Sequence, residues 1–335
     1  MYFCSFLFFF RRWTENGDSS SARLLSGLSS TKERRKEALV KKKPNRRALR
    51  RNKIRNKKSK TELTIVGVNC AGLSSKLFSF NELLSKVCPG IFFIEETKMK
   101  KPGNIKTKMA EKYIIYELIR KQSGGGGLAI GVEKNLKPIW IDEGLDDVEV
   151  LTVEASADDF RFRCVAAYGP QEGDKSDKKT KFWAKLNHEV ENASAAECGF
   201  ILQMDGNFRA GPDTIPEDPH PMNRNGKMFK DFLINNSHPT VVNSLDLCSG
   251  LITRSRQTVQ RLEEAVLDVF VVCDKVLAYV KKMTVDEEKN YVLPNYNKVG
   301  GKVVAKDSDH NTLPIGYSLF NCEAKTCGAI QLEKC

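Results

Sequence analysis

The sequence has no hydrophobic run long enough to cross a membrane, although it contains 335 residues. The apolar segment 2–10 is too short to span a bilayer, and Arg11 and Arg12 follow it instead of preceding it. That order argues against a secretory signal peptide. We therefore treat residues 2–10 as a leader outside the folded domain, and we expect neither secretion nor a membrane partner.

Paired cysteine motifs and clear internal repeats are also missing, although the chain has ten cysteines at irregular spacing. Six of them mostly lie in apolar runs, as reduced core cysteines do: Cys70, Cys88, Cys164, Cys198, Cys248 and Cys273. Cys322, Cys327 and Cys335 have no fourth ligand and no neighbouring histidine, which argues against a closed zinc site. The cysteines therefore indicate a reducing compartment.

The net charge of +12 belongs almost entirely to one segment. Residues 31–60 hold sixteen Lys and Arg against Glu33 and Glu37, a net charge of +14, and residues 1–30 contribute +1. The remaining body therefore carries −3. Residues 1–60 lack apolar periodicity after the leader, so we expect them to be disordered in isolation.

From residue 61 onward, short apolar runs are separated by only a few helical patterns. Strands are predicted at residues 63–68, 91–94, 113–118, 128–132, 148–153, 160–167, 199–204, 240–243 and 266–272. Helices are predicted at residues 77–87, 178–192 and 223–235. So many strands with so few helices do not fit a doubly wound parallel sheet. The pattern favours two mixed sheets packed face to face, with helices outside.

Two carboxylates stand at the ends of buried strands, Glu96 and Asp205. Such a position is costly unless something pairs with the charge, and a hard cation such as Mg²⁺ prefers oxygen ligands. A metal there would polarise a phosphoryl oxygen, and Asn207 would donate to it or orient the attacking water. The alternative interpretation is a simple turn at Asp205-Gly206-Asn207.

His310 is one of only four histidines and directly follows Asp309. An imidazole near a phosphate needs a carboxylate that fixes its tautomer and stabilises its cation. Asp268, inside an apolar strand, is the candidate, with a structural salt bridge as the alternative. Asn69 and Tyr168 also stand at strand ends, where a turn asparagine and a half-buried sheet tyrosine are the simpler interpretations.

Six segments, taken in order, resemble the signature series of the endonuclease/exonuclease/phosphatase superfamily, whose fold is DNase-I-like. They are residues 68–73, 94–98, 167–170, 204–207, 267–269 and 308–311. The resemblance covers residues 61–321 and leaves residues 322–335 as a cysteine-containing tail. It implies an α/β (α+β) fold, a four-layer sandwich of two mixed β-sheets flanked by helices.

The resemblance also implies a hydrolase that cleaves phosphodiester bonds with Mg²⁺, for which Mn²⁺ would substitute. The implied metal ligands are Glu96, Asn69 and Asp309. The implied catalytic residues are His310, Asp268, Asp205, Asn207 and Tyr168. In this pattern, Asp268 orients His310, which polarises the scissile phosphate or acts as base.

This sequence departs from the superfamily pattern at four positions. Glu95 replaces the usual glutamine before the metal-binding glutamate, which adds charge. Met204 replaces a glycine, Gly206 replaces a bulky residue, and Val269 replaces an aromatic one. We expect looser packing around the ligand atoms.

Three segments look more like endonuclease domains of non-LTR retrotransposons, which nick one DNA strand to leave a 3′-hydroxyl. They are Lys98 after Glu96-Thr97, residues 223–227 before a helix, and residues 251–254 before Asp268. Residues 207–209 faintly resemble inositol-polyphosphate phosphatases, but residues 266–269 lack the surroundings typical of those enzymes. The alternatives are an abasic-site repair nuclease and a degenerate nucleic-acid-binding module.

DNA is the predicted partner, and we expect the chain to act as a monomer. The residues predicted to bind phosphates are Lys98, Lys41, Lys42, Lys43, Arg46 and Arg47. The basic run also fits a nuclear import signal, so we expect nuclear localisation, or cytoplasmic before import. A solvated extension without function is the alternative. Only 25 residues follow His310, so we expect no attached reverse transcriptase.

Overall fold

The computed structural model describes residues 5–7, 61–103, 105, 111–120, 126–142, 148–257, 262–287, 295–299, 302–306 and 318–322. The strands are β1 (Ser5–Leu7), β2 (Thr61–Asn69), β3 (Ile91–Glu95), β4 (Tyr113–Leu118), β5 (Leu128–Glu133), β6 (Ile139–Asp142), β7 (Val150–Ala157), β8 (Phe160–Tyr168), β9 (Gly199–Asp205), β10 (Thr240–Val241), β11 (Cys248–Ser249), β12 (Arg254–Gln257), β13 (Leu262–Ala265), β14 (Asp268–Val272), β15 (Met283–Val285), β16 (Asn295–Val299), β17 (Lys302–Lys306) and β18 (Ser318–Cys322). The helices are α1 (Leu77–Val87), α2 (Ser176–Ala195), α3 (Arg224–Asn235) and α4 (Asp274–Leu277), with 3₁₀ turns at Ser74–Lys76, Lys134–Leu136 and Val242–Ser244.

The first sheet has eight strands in the order β11-β15-β1-β2-β3-β5-β4, and β18 also pairs with β2. One edge of the long strand β2 pairs with β1 and with β18, and both are antiparallel to it. The other edge pairs with β3, which runs parallel to it. The antiparallel pair β4–β5 follows the prediction for that segment.

The second sheet has six strands in the order β10-β14-β9-β8-β7-β6. The strands β7 and β8 form the predicted antiparallel pair, and β8 runs parallel to β9. Strand β14 is antiparallel to β9, in a register that sets Asp268 opposite Asp205.

Three apolar clusters hold four layers together. One lies between the sheets and includes Phe93 of β3 and Phe270 of β14. The second joins the outer face of the second sheet to α2 and α3 through Trp183 and Phe229. The third joins the first sheet to α1 and includes Phe80. The predicted four-layer sandwich of two mixed sheets flanked by helices is confirmed.

Part of the N-terminal leader belongs to the sheet. We expected residues 2–10 to lie outside the domain, whereas β1 pairs with both β2 and β15. The physical reason is the unoccupied stretch of the β2 edge opposite residues 66–68, which offers backbone hydrogen bonds to an extended segment. The rest of residues 1–60 lies outside the described residues.

Two predicted strands are shorter than expected. The predicted strand 240–243 is regular only as β10, and the chain continues as the 3₁₀ turn Val242–Ser244. In that turn, Asn243 Nδ2 donates to Asp268 O and Asn243 Oδ1 accepts from Phe270 N. The predicted strand 266–272 begins only at Asp268. Before it, the hydroxyl of Thr253 accepts hydrogen bonds from the peptide N–H groups of Leu267 and Asp268.

Six cysteines are free thiols: Cys70, Cys88, Cys164, Cys198, Cys248 and Cys273. Cys70, Cys164 and Cys198 among them are buried. None of the helices in these ranges combines the length and the apolar character needed to cross a bilayer.

Candidate active site

The predicted site residues that lie in the described ranges at strand ends meet at one end of the sandwich because of strand direction. The parallel strands β2 and β3 end at Asn69 and Glu95, and the parallel strands β8 and β9 end at Tyr168 and Asp205. Parallel strands present their carboxyl ends at the same edge of a sheet. The two sheets bring these edges together, so residues far apart in sequence face one another.

Asn69 connects the two sheets directly. Its Nδ2 donates to Asp205 Oδ2 over 2.7 Å and lies 3.3 Å from Glu96 Oε1. Its Oδ1 accepts from the peptide N–H of Ala71, which fixes the amide in this orientation. Asn69 therefore acts here as a donor to two carboxylates, and its predicted role as a metal ligand stays a prediction.

Glu96 is buried, and both of its carboxylate oxygens have polar contacts. Its Oε1 accepts from the hydroxyl of Tyr168 over 3.2 Å, and its Oε2 forms an ion pair with Lys98 over 3.0 Å. Glu96 and Lys98 both have left-handed backbone, with φ of 48° and 51°. Non-glycine residues adopt such φ values at a cost, and functional sites are a common place for it. The structure thus sets Lys98, predicted to bind nucleic acid, against the carboxylate of the predicted metal ligand.

Asp205 carries a strongly perturbed carboxyl group. Burial, followed by the charge of Glu96, raises its pKa from 3.8 to about 7, against the hydrogen bonds from Asn207 N and Asn69. The same two causes, burial first and then the carboxylates of Asp205 and Glu96, raise the pKa of Tyr168. This corner therefore carries negative charge that a cation would stabilise.

Asn207 closes the site from the loop after β9. Its peptide N–H donates to Asp205 Oδ1 over 3.0 Å, and its Nδ2 donates to Gly169 O over 2.9 Å. Its φ of 46° is again left-handed. The turn that was the simpler interpretation of residues 205–207 is present, and it also presents Asn207 to the same cleft as Asp205.

A second carboxylate cluster lies beneath this site. Ligand oxygens of Glu95, Asp205 and Asp268 all lie within 4.8 Å of one another, and all three residues are buried. Glu95 Oε1 accepts the peptide N–H of Asp205. Burial, then the charges of Asp268 and Asp205, raise the pKa of Glu95 well above its usual value. Sequence reasoning treated Glu95 as a departure from a family pattern and missed its membership of this cluster.

Three further polar residues hold the site in place. Asn225, buried in α3, donates to the carbonyls of Pro170 and Asn207 over 2.8 and 3.1 Å. Thr253 and Asn243 anchor the backbone of Asp268 and its neighbours. Residues 223–227 and 251–254 were singled out in the sequence for their resemblance, but their role as supports was not predicted.

The site opens into a cleft of about 460 Å³. The residues that line it are Glu96, Tyr168, Gln171, Glu172, Asp205, Asn207, Phe208, Arg209, Asn223, Arg254 and Leu267. Of the described carboxylates in the two clusters, Glu96 and Asp205 line the cleft, whereas Glu95 and Asp268 lie below it.

The residues at the cleft floor fit a hydrated divalent cation. One amide nitrogen, Asn69 Nδ2, lies within 3.3 Å of oxygens from both Glu96 and Asp205, so these carboxylates converge. Mg²⁺ favours such oxygen donors and keeps several waters, which an open cleft admits. Glu96 and Asp205 are therefore the side chains that would hold it.

The expected loosening at Met204 and Gly206 is not seen. Met204 is fully buried, and a Cβ on Gly206 would overlap the ring of Phe208. Phe208 is itself fully buried and stacks on Phe229, with ring centroids 4.4 Å apart. The aromatic ring thus occupies the space that the small residue leaves.

Several predicted site residues lie outside the described residues. They are His310, Asp309, Lys41, Lys42, Lys43, Arg46 and Arg47. Their predicted roles therefore stay predictions. The predicted contact between Asp268 and His310 also stays a prediction.

Several solved structures have an arrangement similar to that of most of this chain. The endonuclease domain of TRAS1, a telomere-specific non-LTR retrotransposon, is similar over 81% of this chain and 99% of its own, with 15% identity and a TM-score of 0.52. A 3′-5′ exonuclease from Neisseria meningitidis covers 78% of this chain and 100% of its own, with 17% identity and a TM-score of 0.54. The AP endonuclease LMAP from Leishmania major covers 76% and 86%, with 16% identity and a TM-score of 0.52.

The chain has a DNase-I-like fold. At these identities the likeness is one of fold. No protein-family model matches the sequence, and no curated protein matches it. In this DNase-I-like fold, the cleft lies where the two sheets meet at the ends of β2, β3, β8 and β9.

Proposed function

We propose that this protein is a metal-dependent phosphodiesterase that cuts DNA, an endonuclease of the retrotransposon type that nicks one strand and leaves a 3′-hydroxyl. One observation carries the proposal. Asn69, Glu96, Tyr168, Asp205 and Asn207, from four separate segments, converge on one cleft. A fold alone supports many chemistries, so the convergence of these side chains is the stronger argument.

Each described side chain has a defined task in the proposed reaction. Mg²⁺ bound at Glu96 and Asp205 would polarise a phosphoryl oxygen and stabilise the leaving alkoxide. Asn69 and Tyr168 hold the Glu96 carboxylate by hydrogen bonds over 3.3 and 3.2 Å. A cation bound beside Asp205 would favour its ionised form and lower its raised pKa, so Asp205 would act as a carboxylate in the metal-bound enzyme. We propose that His310, oriented by Asp268, is the proton-transferring group.

Two features support DNA as the substrate and a retrotransposon-type endonuclease as the class. The TRAS1 endonuclease domain is similar over 99% of its own length, so that whole domain has a counterpart here. A related structure, a 3′ phosphatase from Neisseria, is bound to a product DNA hairpin. Nuclear localisation, which rests on the basic run, and a monomeric state belong to the same proposal.

The proposal is tested by nicking of supercoiled plasmid in Mg²⁺, in Mn²⁺ and in EDTA. We expect conversion to the open circle with either metal and none in EDTA. We expect His310→Ala to slow nicking by about a hundredfold or more, the usual size of a general acid–base contribution. His188→Ala, an exposed histidine on α2, is the matched control and should nick like wild type.

Three outcomes would count against the proposal. Absence of metal-dependent nicking would leave a nucleic-acid-binding module without catalysis. Equal activity of wild type and His310→Ala would remove His310 from the chemistry. A strong preference for a duplex that carries an abasic site would favour the repair-type nuclease instead.

We also propose that the basic run binds the DNA backbone outside the cleft. Because the body of the chain carries −3, its affinity for DNA needs local positive charge. Replacing Lys41, Lys42, Lys43, Arg46 and Arg47 with glutamine is expected to weaken duplex binding about tenfold at ~0.1 M salt. The slope of log K against log salt should become shallower by roughly 0.9 for each phosphate that the variant no longer neutralises.

Fluorescence anisotropy of a labelled duplex measures both quantities. A variant that exchanges lysine and arginine at the same five positions keeps the charge and is the matched control. Substitution is preferable to deletion of residues 1–60, because deletion would also remove β1 from the sheet. An unchanged salt slope in the glutamine variant would assign the run to another role.

A further inference from the structure

The wall of the cleft carries positive charge that the proposed reaction does not use. Arg209 follows Asn207 by two residues, and Arg254 begins β12. Both guanidinium-bearing residues line the cleft whose floor is formed by Glu96 and Asp205. The basic wall therefore comes from two separate segments and faces the acidic floor.

Arg209 is held in place by its backbone, which leaves its side chain available. Its peptide N–H donates to Asn223 Oδ1 over 3.0 Å, and its carbonyl accepts from Asn223 N over 3.1 Å. The same Asn223 caps the first turn of α3 through Gly226 N. Within the described ranges, the Arg209 guanidinium has neither an ion pair nor a hydrogen bond to another residue.

The electrostatic surroundings of Arg209 favour an anion. Partial burial, followed by the nearby charge of Arg254, lowers the pKa of Arg209, while Asp218, Glu263 and Asp205 oppose that effect. A phosphate bound beside the two arginines would lessen their mutual repulsion and the cost of burying the Arg209 charge.

Two acidic residues near this wall, Asp218 and Glu172, accept hydrogen bonds from other groups. Asp218 accepts hydrogen bonds from the peptide N–H groups of Gly211 and His220 over 3.0 and 3.1 Å. Glu172 Oε2 accepts from Asn223 Nδ2 over 2.8 Å. Neither carboxylate forms an ion pair with Arg209 in the part of the chain that the structure describes.

We propose that Arg209 and Arg254 form a second phosphate site, which binds the phosphate next to the scissile one along the same DNA strand. This inference rests on the proposed function, because it places the scissile phosphate over Glu96 and Asp205. Guanidinium groups bind phosphate oxygens through paired, charge-assisted hydrogen bonds. The site would therefore select a polynucleotide over a substrate with a single phosphodiester.

The test compares two substrates with Arg209→Gln in the full chain. One substrate is a DNA duplex with many phosphates, and the other is bis(p-nitrophenyl) phosphate, which has a single phosphodiester. We expect Arg209→Gln to raise KM for the duplex about tenfold or more, the effect of removing one charge-assisted hydrogen bond. We expect hydrolysis of bis(p-nitrophenyl) phosphate to stay within about twofold of wild type. This substrate has no neighbouring phosphate for Arg209 to contact, and such backbone contacts serve to position a DNA strand. Arg161→Gln, an exposed arginine of β8 bonded to Ala196 O, is the matched control.

Duplex binding in EDTA gives a readout that does not depend on catalysis. We expect the salt slope of Arg209→Gln to fall by about one relative to wild type, and Arg254→Gln to do the same. If wild type hydrolyses neither substrate but these slopes fall, the phosphate site stands and the proposed function fails.

Other results would overturn the phosphate site. An unchanged salt slope and an unchanged KM would exclude a phosphate contact at Arg209. An equal loss on both substrates would show that Arg209 supports the chemistry or the fold instead.

Discussion

Glu96→Gln is expected to lower metal-dependent cleavage about a thousandfold, because several kcal/mol of charge stabilisation depend on the metal that this carboxylate would hold. Glutamine keeps the length of the side chain and an acceptor for the contacts with Asn69 and Tyr168. It removes the negative charge that faces the cation and that pairs with Lys98 over 3.0 Å. Single-turnover cleavage of a labelled duplex measures the loss.

Metal dependence distinguishes this role of Glu96 from a structural one. We expect higher Mg²⁺ concentrations to restore part of the activity of Glu96→Gln, while the melting temperature stays within a few degrees of wild type. Glu82→Gln, at an exposed position of α1, controls for the loss of one carboxylate and should cleave normally. Cleavage by Glu96→Gln within tenfold of wild type would contradict the assignment of Glu96 as a metal ligand.

Glu95→Gln is expected to stabilise the protein at pH 8 by about 2 kcal/mol, which is the order of magnitude for relieving a buried, repelled carboxyl group. Glu95 is fully buried, and its ligand oxygen lies within 4.8 Å of those of Asp205 and Asp268. Glutamine keeps the acceptor for Asp205 N and adds a donor toward the remaining carboxylates.

The stabilisation should depend on pH in a direction that the pKa shift determines. In the folded protein, burial and the two neighbouring carboxylates raise the pKa of Glu95 well above 4.5. Above pH 4.5 the unfolded chain releases this proton while the folded protein keeps it, so the stability of wild type falls as pH rises. The gain from Glu95→Gln should therefore be small near pH 4.5 and large at pH 8.

Urea unfolding at pH 5 and pH 8 measures this difference. The exposed Glu82→Gln should leave the free energy of unfolding unchanged at both values. A loss of stability in Glu95→Gln at pH 8 would contradict the expectation and would mean that ionised Glu95 pairs with a cation. In that case Mg²⁺ should stabilise wild type more than it stabilises the variant.

The parts of the fold that could be predicted depend on local features of the sequence, such as the spacing of apolar residues and helix capping. The predicted helix 77–87 agrees with α1, because apolar residues recur at helical spacing over that length. The predicted helix 223–235 agrees with α3 apart from Asn223, which caps the helix from outside through a bond to Gly226 N. Buried strands such as β3 and β9 were recognisable as short continuous apolar runs.

The candidate site was predicted only in part. The order of polar residues along the sequence indicates which residues belong to the site, but it does not give the contacts between their atoms. Asn69 and Asp205 are separated by 136 positions, and Glu95 contacts Asp205 across 110. Gly206 looked like a packing defect from its size, whereas Phe208 fills the space beside it. Such contacts depend on how two sheets pack, for which a single sequence offers no periodic signal.

The residues alone therefore specify the longer strands and helices, the charge separation between the basic run and the body, and the set of polar residues at strand ends. Short elements such as β1, β6 and β15 were not predicted. Backbone propensity and burial of apolar side chains act over a few residues, so these features are visible in the sequence. The packing of the two sheets determines the rest. It places Glu96 and Asp205 on the cleft floor, sets Glu95 and Asp268 beneath them, and brings Arg209 and Arg254 to one wall. These arrangements arise from contacts between distant segments, because neither sheet can bury its inner face without the other.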